Sequence, residues 1–368
     1  MRVTQMLTQE IAAEIVKQTM IRLNRNINIM NDHGIIIASG NPERMNTIHD
    51  GAMEVLKTGK TVIIHDKDLV KWESSLPGIN LPIHFNQKII GVIGITGNPE
   101  EIMEFGELVK MITEMMLQQA FTAEQIEWQQ KTKDHIFDDL LQDTLNEKSI
   151  QQRLELVGIS LQPPFQVSVI ETNKPELKRI DFTHWVEGIF NKKHTLIGFL
   201  GVNQQFILSS GIPDTKVKDN LLKLIAKGQL KGIDTKIGMG TSVTELTGIP
   251  HTYQESISSL TLGEPDQSLT AFKEIETKAL LQKLDENSQQ QYYGRILSGL
   301  SEKLIDTLEQ FFANNLNLGE CAKKMYIHRN SLIYRIKKIK EITGYNPQKT
   351  NDVITLQLAI WLRKMHKK

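Results

Sequence analysis

Apolar residues along this chain follow two periods, and the switches between them divide it. In the first hundred residues, short stretches alternate with a period of two. Residues 26–30 and 35–39, joined by Asn31-Asp-His-Gly34, predict a β-hairpin closed by Asn41-Pro42. Residues 61–65 predict a further strand, and 80–85 with 88–95, joined by Asn86-Gln87, a second hairpin. Helical spacing occurs at 4–23, through Leu7, Ile11, Ile15 and Ile21, and at 47–57, a helix that Gly59 ends. This order predicts a small antiparallel sheet with helices packed on it.

From residue 100 to 145 the period is helical throughout, with Ile102, Phe105, Leu108, Val109, Ile112, Met115, Ile126, Ile136, Phe137 and Leu140 among its apolar positions. A continuous helix of that span would run roughly 65 Å at about 1.5 Å per residue. Such a helix pairs with a partner or leaves its domain as a connector. The methionine-rich stripe between Met111 and Met116 reads as core or dimer seam, and a break near Thr122 stays open. After Pro163-Pro164, predicted strands at 165–170, 195–200, 205–209 and 236–240 alternate with helices at 182–191, 216–226 and 248–262. That alternation predicts a compact α/β or α+β domain. A helical run from 272 to 312 follows, and a last helix at 352–365 closes the chain.

Residues 318–345 carry the most specific pattern. A first short helix places Leu318, Cys321, Ala322 and Met325 on one face. Tyr326-Ile-His328 makes a turn whose Ile327 can plug the core. A second helix buries Leu332, Ile336 and Ile339, shows Arg329, Asn330, Tyr334, Lys337, Lys338 and Lys340 to solvent, and stops at Gly344. This is helix-turn-helix grammar, in which the second helix lies in the DNA major groove.

Charge strengthens that reading. The chain carries 43 basic and 43 acidic residues, yet every charged residue from Cys321 to Lys340 is basic. A one-signed face along one helix is the footprint of phosphate binding. Composition otherwise marks an ordinary soluble protein of several domains, with 40% hydrophobic and 23% charged residues. A single cysteine, Cys321, leaves no intrachain disulfide and fits a reducing compartment. The first residues lack an apolar signal-peptide stretch, and runs such as 89–95 are far too short to span a bilayer, so a cytoplasmic protein without a membrane partner is expected.

With these motifs in view, the chain resembles the carbohydrate diacid regulator family of bacterial transcription activators. Residues 28–44, 78–83 and 91–97 are similar to its sugar-diacid recognition domain. Ile237-Gly-Met-Gly-Thr241 and Tyr253-Gln-Glu-Ser256 resemble a degenerate diguanylate-cyclase-like domain, and residues 326–336 resemble the helix-turn-helix shared with purine catabolism regulators. The resemblance implies a multidomain α+β chain: a recognition domain at 1–130, a helical connector at 131–162, a cyclase-like domain at 163–270, a helical linker at 271–300 and an all-α DNA-binding domain at 301–368. It implies an effector of the glycerate, glucarate or galactarate type, activation of the genes that consume it, and double-stranded DNA as partner. A homodimer or higher homo-oligomer is expected.

A dicarboxylate needs two anion-binding centres, supplied by cationic side chains or by backbone N–H groups at a helix start. Candidates in the first domain are Arg44, His49 at the start of the 47–57 helix, Lys60, Gly78, Asn80 and Leu81. For DNA, Arg329 and Asn330 suit base edges. Ser331, Tyr334, Arg335, Lys337 and Lys338 suit phosphates, and His328 stands at the helix start. The histidines at 33, 49, 65 and 84 lack a metal-binding spacing, and no cofactor is expected. The hairpin tip Leu200-Gly-Val-Asn-Gln-Gln-Phe206 lacks the acids that a diguanylate cyclase uses to hold metal, so no catalysis is expected. The alternative is a nucleotide-sensing or nucleotide-processing protein built on that middle domain.

Overall fold

A computed structural model describes residues 7–366 except 24, 68–71, 73, 74, 143, 144 and 174–178. Positions 4–6 of the first expected helix lie outside the described residues. The chain divides into two compact units, one up to Gln130 and one from Lys131 onward.

The first unit runs α1 (Gln9–Leu23), β1 (Ile27–Asn31), β2 (Ile36–Ser39), a 3-10 turn at Pro42–Arg44, α2 (Asp50–Thr58), β3 (Val62–Ile64), β4 (Gly78–Phe85), β5 (Lys88–Thr96) and the start of α3 (Pro99–Leu140). Its five strands form an antiparallel sheet in the order β2-β1-β5-β4-β3. Asn86 and Gln87 both take positive φ, 47° and 65°, which matches the strand twist at a two-residue hairpin turn. Strand alternation sorts the side chains by face. Ile27, Ile29, Ile79, Leu81, Ile83, Ile93 and Ile95 pack against Ala12, Ile15 and Val16 of α1 and Ile102, Val109 and Leu117 of α3. Burying each such Ile contributes about 1.5–3 kcal/mol. The opposite face packs Met30, Ile36 and Val92 against Ala52 and Val55 of α2. Two buried asparagines, Asn28 and Asn80, alternate onto that second face.

Helix α3 is unbroken at Thr122, whose Oγ1 donates to the Gln118 carbonyl at 2.8 Å. The methionine-rich stripe splits between environments. Thr113 and Leu117 are buried and Met116 packs at the core edge, whereas Met111 and Met115 are exposed.

The second unit begins with the last turns of α3 and α4 (Glu147–Leu156). It continues with β6 (Phe165–Thr172), α5 (Arg179–Glu187), β7 (Thr195–Phe199), β8 (Gln204–Ser210), α6 (Asp214–Gln229), β9 (Thr235–Met239), α7 (Ile249–Leu262) and β10 (Leu269–Ala271). The sheet order is β10-β9-β6-β8-β7, with only β10 and β9 parallel. Phe182, Trp185, Leu221 and Leu224 cover one face, and Ile136, Phe137 and Leu140 of α3 with Ile249 of α7 cover the other. The rings of Phe137 and Phe206 stack with centroids 3.6 Å apart, and Asp134 Oδ1 accepts the Phe199 backbone N–H at 3.2 Å.

The expected helical run from 272 to 312 is three helices: α8 (Phe272–Gln282), α9 (Glu286–Ile296) and α10 (Glu302–Ala313). Asp285 caps α9 by accepting from the Ser288 amide, and Gly299 turns the chain at φ 78° before α10. The chain ends in α11 (Leu318–Lys324), α12 (Arg329–Thr343) and α13 (Thr350–His366). Ile296 and Leu297, within the stretch expected as a linker, join Leu308, Phe311, Leu332, Ile336, Ile339, Leu356 and Ile360 in one helical core. Among the described residues no helix is long and apolar enough to cross a membrane.

Candidate anion pocket and nucleic-acid interface

The second face of the N-terminal sheet holds a polar group beside the start of α2. The predicted helix start at Thr47 moves inward, because Ile48 bridges in extended conformation to Ile35 and the helix opens at Asp50. His49 is the N-cap, at φ −112° and ψ 111°, and its Nδ1 accepts the Ala52 N–H at 3.3 Å. Ser75 Oγ lies 3.5 Å from the same nitrogen and accepts the Gly51 N–H at 3.4 Å. His49, Ser75 and Asn80 are 3%, 6% and 3% exposed, so this cluster sits in a low-dielectric setting. Burial, then the nearby Arg44 charge, push the His49 pKa down to about 4 against a smaller opposing effect of Asp50. His49 is therefore a neutral imidazole at pH 7, with Nδ1 as acceptor and Nε2 carrying the proton. Arg44 is half-buried on its 3-10 turn, and burial lowers its own pKa.

Asn80 faces this helix start: a Cβ on Gly51 would come within 2.7 Å of its Nδ2. Its Oδ1 is buried and has no hydrogen-bond partner. Leaving such an acceptor unpaired costs about 1–3 kcal/mol. The sheet register pairs Gly94 with both Asn28 and Asn80, so a residue without a side chain sits between two buried amides. Asn28 itself is occupied, accepting from Ser39 Oγ at 2.6 Å. Together these groups offer one guanidinium and an unfilled amide acceptor, beside a helix start whose Gly51 and Ala52 amides already donate to Ser75 Oγ and His49 Nδ1.

The structure places His49 and Asn80 at the α2 start, with Arg44 near enough for its charge to act on His49, and gives the other three predicted residues different surroundings. Lys60 is exposed beyond Gly59, at the far end of a nine-residue helix from His49, about 13 Å away along the axis. Leu81 points its side chain into the opposite, α1/α3 core, as strand alternation requires. Gly78 has a packing reason of its own: a Cβ there would lie 2.1 Å from the Ile95 carbonyl oxygen, so its close approach is to β5. Sequence reasoning missed Ser75, Gly51 and Asn28. The signal for Asn28 was an asparagine at a strand position whose neighbours are all apolar.

At the other end of the chain, Asn317 opens α11 by accepting from Gly319 and Glu320 amides, and Tyr326 turns the chain at φ 52°. The Ile327 N–H returns to the Ala322 carbonyl at 3.0 Å, which seats Ile327 against the core. Burial raises the pKa of the Cys321 thiol. His328 caps α12, its Nδ1 accepting the Asn330 N–H at 3.2 Å, so its ring is held at the helix start. Arg329, Asn330, Ser331, Tyr334, Lys337 and Lys338 are exposed along α12. Arg335 differs: it is half-buried, and its Nη1 donates to Thr307 Oγ1 of α10 at 3.1 Å. It borders a groove of about 610 Å³ lined also by Asn330, Ser331, Tyr334, Lys338, Ser301 and Lys303. Ser301 and Lys303, at the start of α10, were missed because they lie far from the motif in sequence.

Three family models match the chain: sugar diacid recognition over residues 7–140, a GGDEF-like domain over 142–262, and the PucR C-terminal helix-turn-helix domain over 304–362. An uncharacterized protein of Haemophilus influenzae is 32% identical over 363 residues, covering 95% of this chain and 98% of its own. The carbohydrate diacid regulator of Escherichia coli is 27% identical over 379 residues, covering 97% and 98%. The chain belongs to the carbohydrate diacid regulator family.

The DNA-binding transcriptional activator AdeR of Bacillus subtilis is 26% identical over 229 residues, covering 57% of this chain and 54% of its own. This family member is thus a DNA-binding helix-turn-helix transcription regulator and not an enzyme. Its GGDEF-like domain places Leu200-Gly-Val-Asn203 at the tip of the β7/β8 hairpin, without an acidic side chain to hold a metal.

Proposed function

We propose that this regulator is an activator of organic-acid catabolic genes that senses a glycerate-, glucarate- or galactarate-type acid in its N-terminal domain. The observation that carries the reading is the buried Asn80 Oδ1 without a partner, set beside the α2 start. A hydroxy-acid supplies the donor that Asn80 Oδ1 lacks. Its hydroxyl donates to Asn80 Oδ1, and its carboxylate meets the Arg44 guanidinium. The carbohydrate diacid regulator relative supports the effector class by its name. Lys60, Gly78 and Leu81 take no side-chain part in this arrangement.

On the output side, Arg329 and Asn330 read base edges from the start of α12, and Ser331, Tyr334, Lys337 and Lys338 hold phosphates. His328 acts by fixing the helix start, and Arg335, oriented by Thr307, clamps a phosphate in the groove. The effector signal runs along α3, one continuous helix with its first turns in one core and its last in another. For a shift to occur the acid must bind one α3 arrangement more tightly than another. Calorimetry with glycerate, glucarate, galactarate and neutral sugars of matched size tests the reading. Saturable binding of an acid, lost in Asn80→Leu, supports it. Binding of none of the acids, or equal binding by the variant, overturns it.

A further inference from the structure

Helix α3 carries a second apolar face, turned away from its own core. Phe105, Leu108, Ile112, Met115 and Ile126 are 53%, 48%, 40%, 64% and 44% exposed, and Met111 beside them is 51% exposed. With Gln119 and Thr122 they repeat at steps of three and four from 105 to 126, the a and d positions of successive heptads. At about 100° per residue this stripe is centred well away from the Ile102, Val109 and Leu117 face that packs on the sheet. We propose that this stripe is the seam of a parallel, two-fold coiled coil with α3 of a second copy of the chain.

Three features select a second copy over another partner. A sustained heptad spacing fits another helix, and in a parallel in-register pair each apolar residue meets its own equivalent. No charged residue occupies any seam position from 105 to 126, so identical helices face no like-charge clash there; Glu101 and Glu104 bound the stripe at its start. Exposed apolar stripes of this kind are otherwise a liability for a lone chain. The parallel sense follows from the output. Helix-turn-helix proteins read two half-sites as two-fold dimers, and parallel helices emerge side by side at Leu140. Antiparallel pairing of the same stripe would send those ends about 70 Å apart along the helix. The polar Gln119 and Thr122 interrupt the seam and set its register, as a buried polar seam residue does in other coiled coils.

The inference is independent of the effector. Light scattering of the full chain, without any acid, is expected to show a dimer, and Leu108→Glu with Ile112→Glu a monomer with an unchanged helical circular-dichroism spectrum. Ile126→Glu guards against misfolding as the cause, because residues 122–129 are all exposed and belong to no core. It should weaken the dimer at least tenfold while leaving the melting temperature of dissociated chains unchanged. In a Cys321→Ser background, Phe105→Cys and Ile126→Cys should each cross-link to themselves under mild oxidation. A monomeric wild type, a dimer indifferent to all three glutamates, or cross-linking only between mixed 105 and 126 variants would overturn the proposal.

Discussion

Gly94 and Asn80 stand opposite each other on β5 and β4, and a Cβ on Gly94 would come within 2.9 Å of the Asn80 Oδ1. Any side chain at residue 94 would crowd that unpartnered oxygen. Gly94→Ala should therefore push the Asn80 amide aside and reduce stabilisation by the acid at least tenfold in ligand affinity. DNA affinity without effector should stay within twofold. Thermal shift with titrated acid, alongside an operator-binding assay, measures both.

His49 makes the N-terminal domain pH-sensitive in a defined direction. Its pKa is about 4 folded against about 6.5 unfolded, so the unfolded chain binds the proton more readily. The stability that neutral His49 contributes is fully present above about pH 6.5 and is lost as pH falls toward 4, on the order of 3 kcal/mol at about 1.4 kcal/mol per unit. His49→Gln, an uncharged replacement, should flatten the fall in denaturant midpoint between pH 7 and 4.5. An equally steep fall in the variant would assign the acid sensitivity to other groups.

The stacked pair of Phe137 and Phe206 ties the end of α3 to the second sheet. Both rings are 0–1% exposed, so Phe137→Ala should cost about 3–5 kcal/mol in the unfolding of the second unit. Urea titration followed by tryptophan fluorescence reads this through Trp185. A loss below about 1 kcal/mol would show that the end of α3 is not fixed in that core.

Inserting two glycines at Ala123 in the exposed part of α3 should uncouple input from output. Acid binding should remain within threefold of the wild type, while the acid's effect on operator affinity disappears. A preserved response would mean that the signal takes a route other than the helix.

On DNA, Arg329→Ala should relax sequence preference, costing about 1–3 kcal/mol on the cognate site and little on random DNA. Lys338→Ala should weaken all sequences alike and reduce the slope of log K against log salt by about 1. Competition binding at several salt concentrations separates the two. Uniform loss in both variants would show that neither residue reads bases.

Elements with a strong local signature were legible in the residues alone. The two N-terminal hairpins, the long helix and the helix-turn-helix follow from periodicity, turn residues and caps, all of which act within a few positions. The three residues of β10 were not, since so short a strand is stabilised by its parallel neighbour β9 rather than by its own pattern. The helical run at 272–312 hid two breaks: Asp285 opens α9 as its N-cap, and Gly299 turns the chain at φ 78° before α10.

The candidate pocket shows the same division. Sequence pointed to Arg44, His49 and Asn80 by chemical type, but it equally offered Lys60, Gly78 and Leu81. Tertiary structure gives them different surroundings. Strand alternation sends Leu81 to the far face, the length of α2 carries Lys60 away, and β5 explains Gly78. Thr307 and Arg335, twenty-eight positions apart, meet only when α10 packs on α12. By itself the sequence determined a sheet-based first domain, a long helix and a DNA-reading terminus, because local periodicity and charge specify these. Which polar side chains share one buried space, and which face of α3 stays open, was decided by packing, since those neighbours are brought together only by the folded chain.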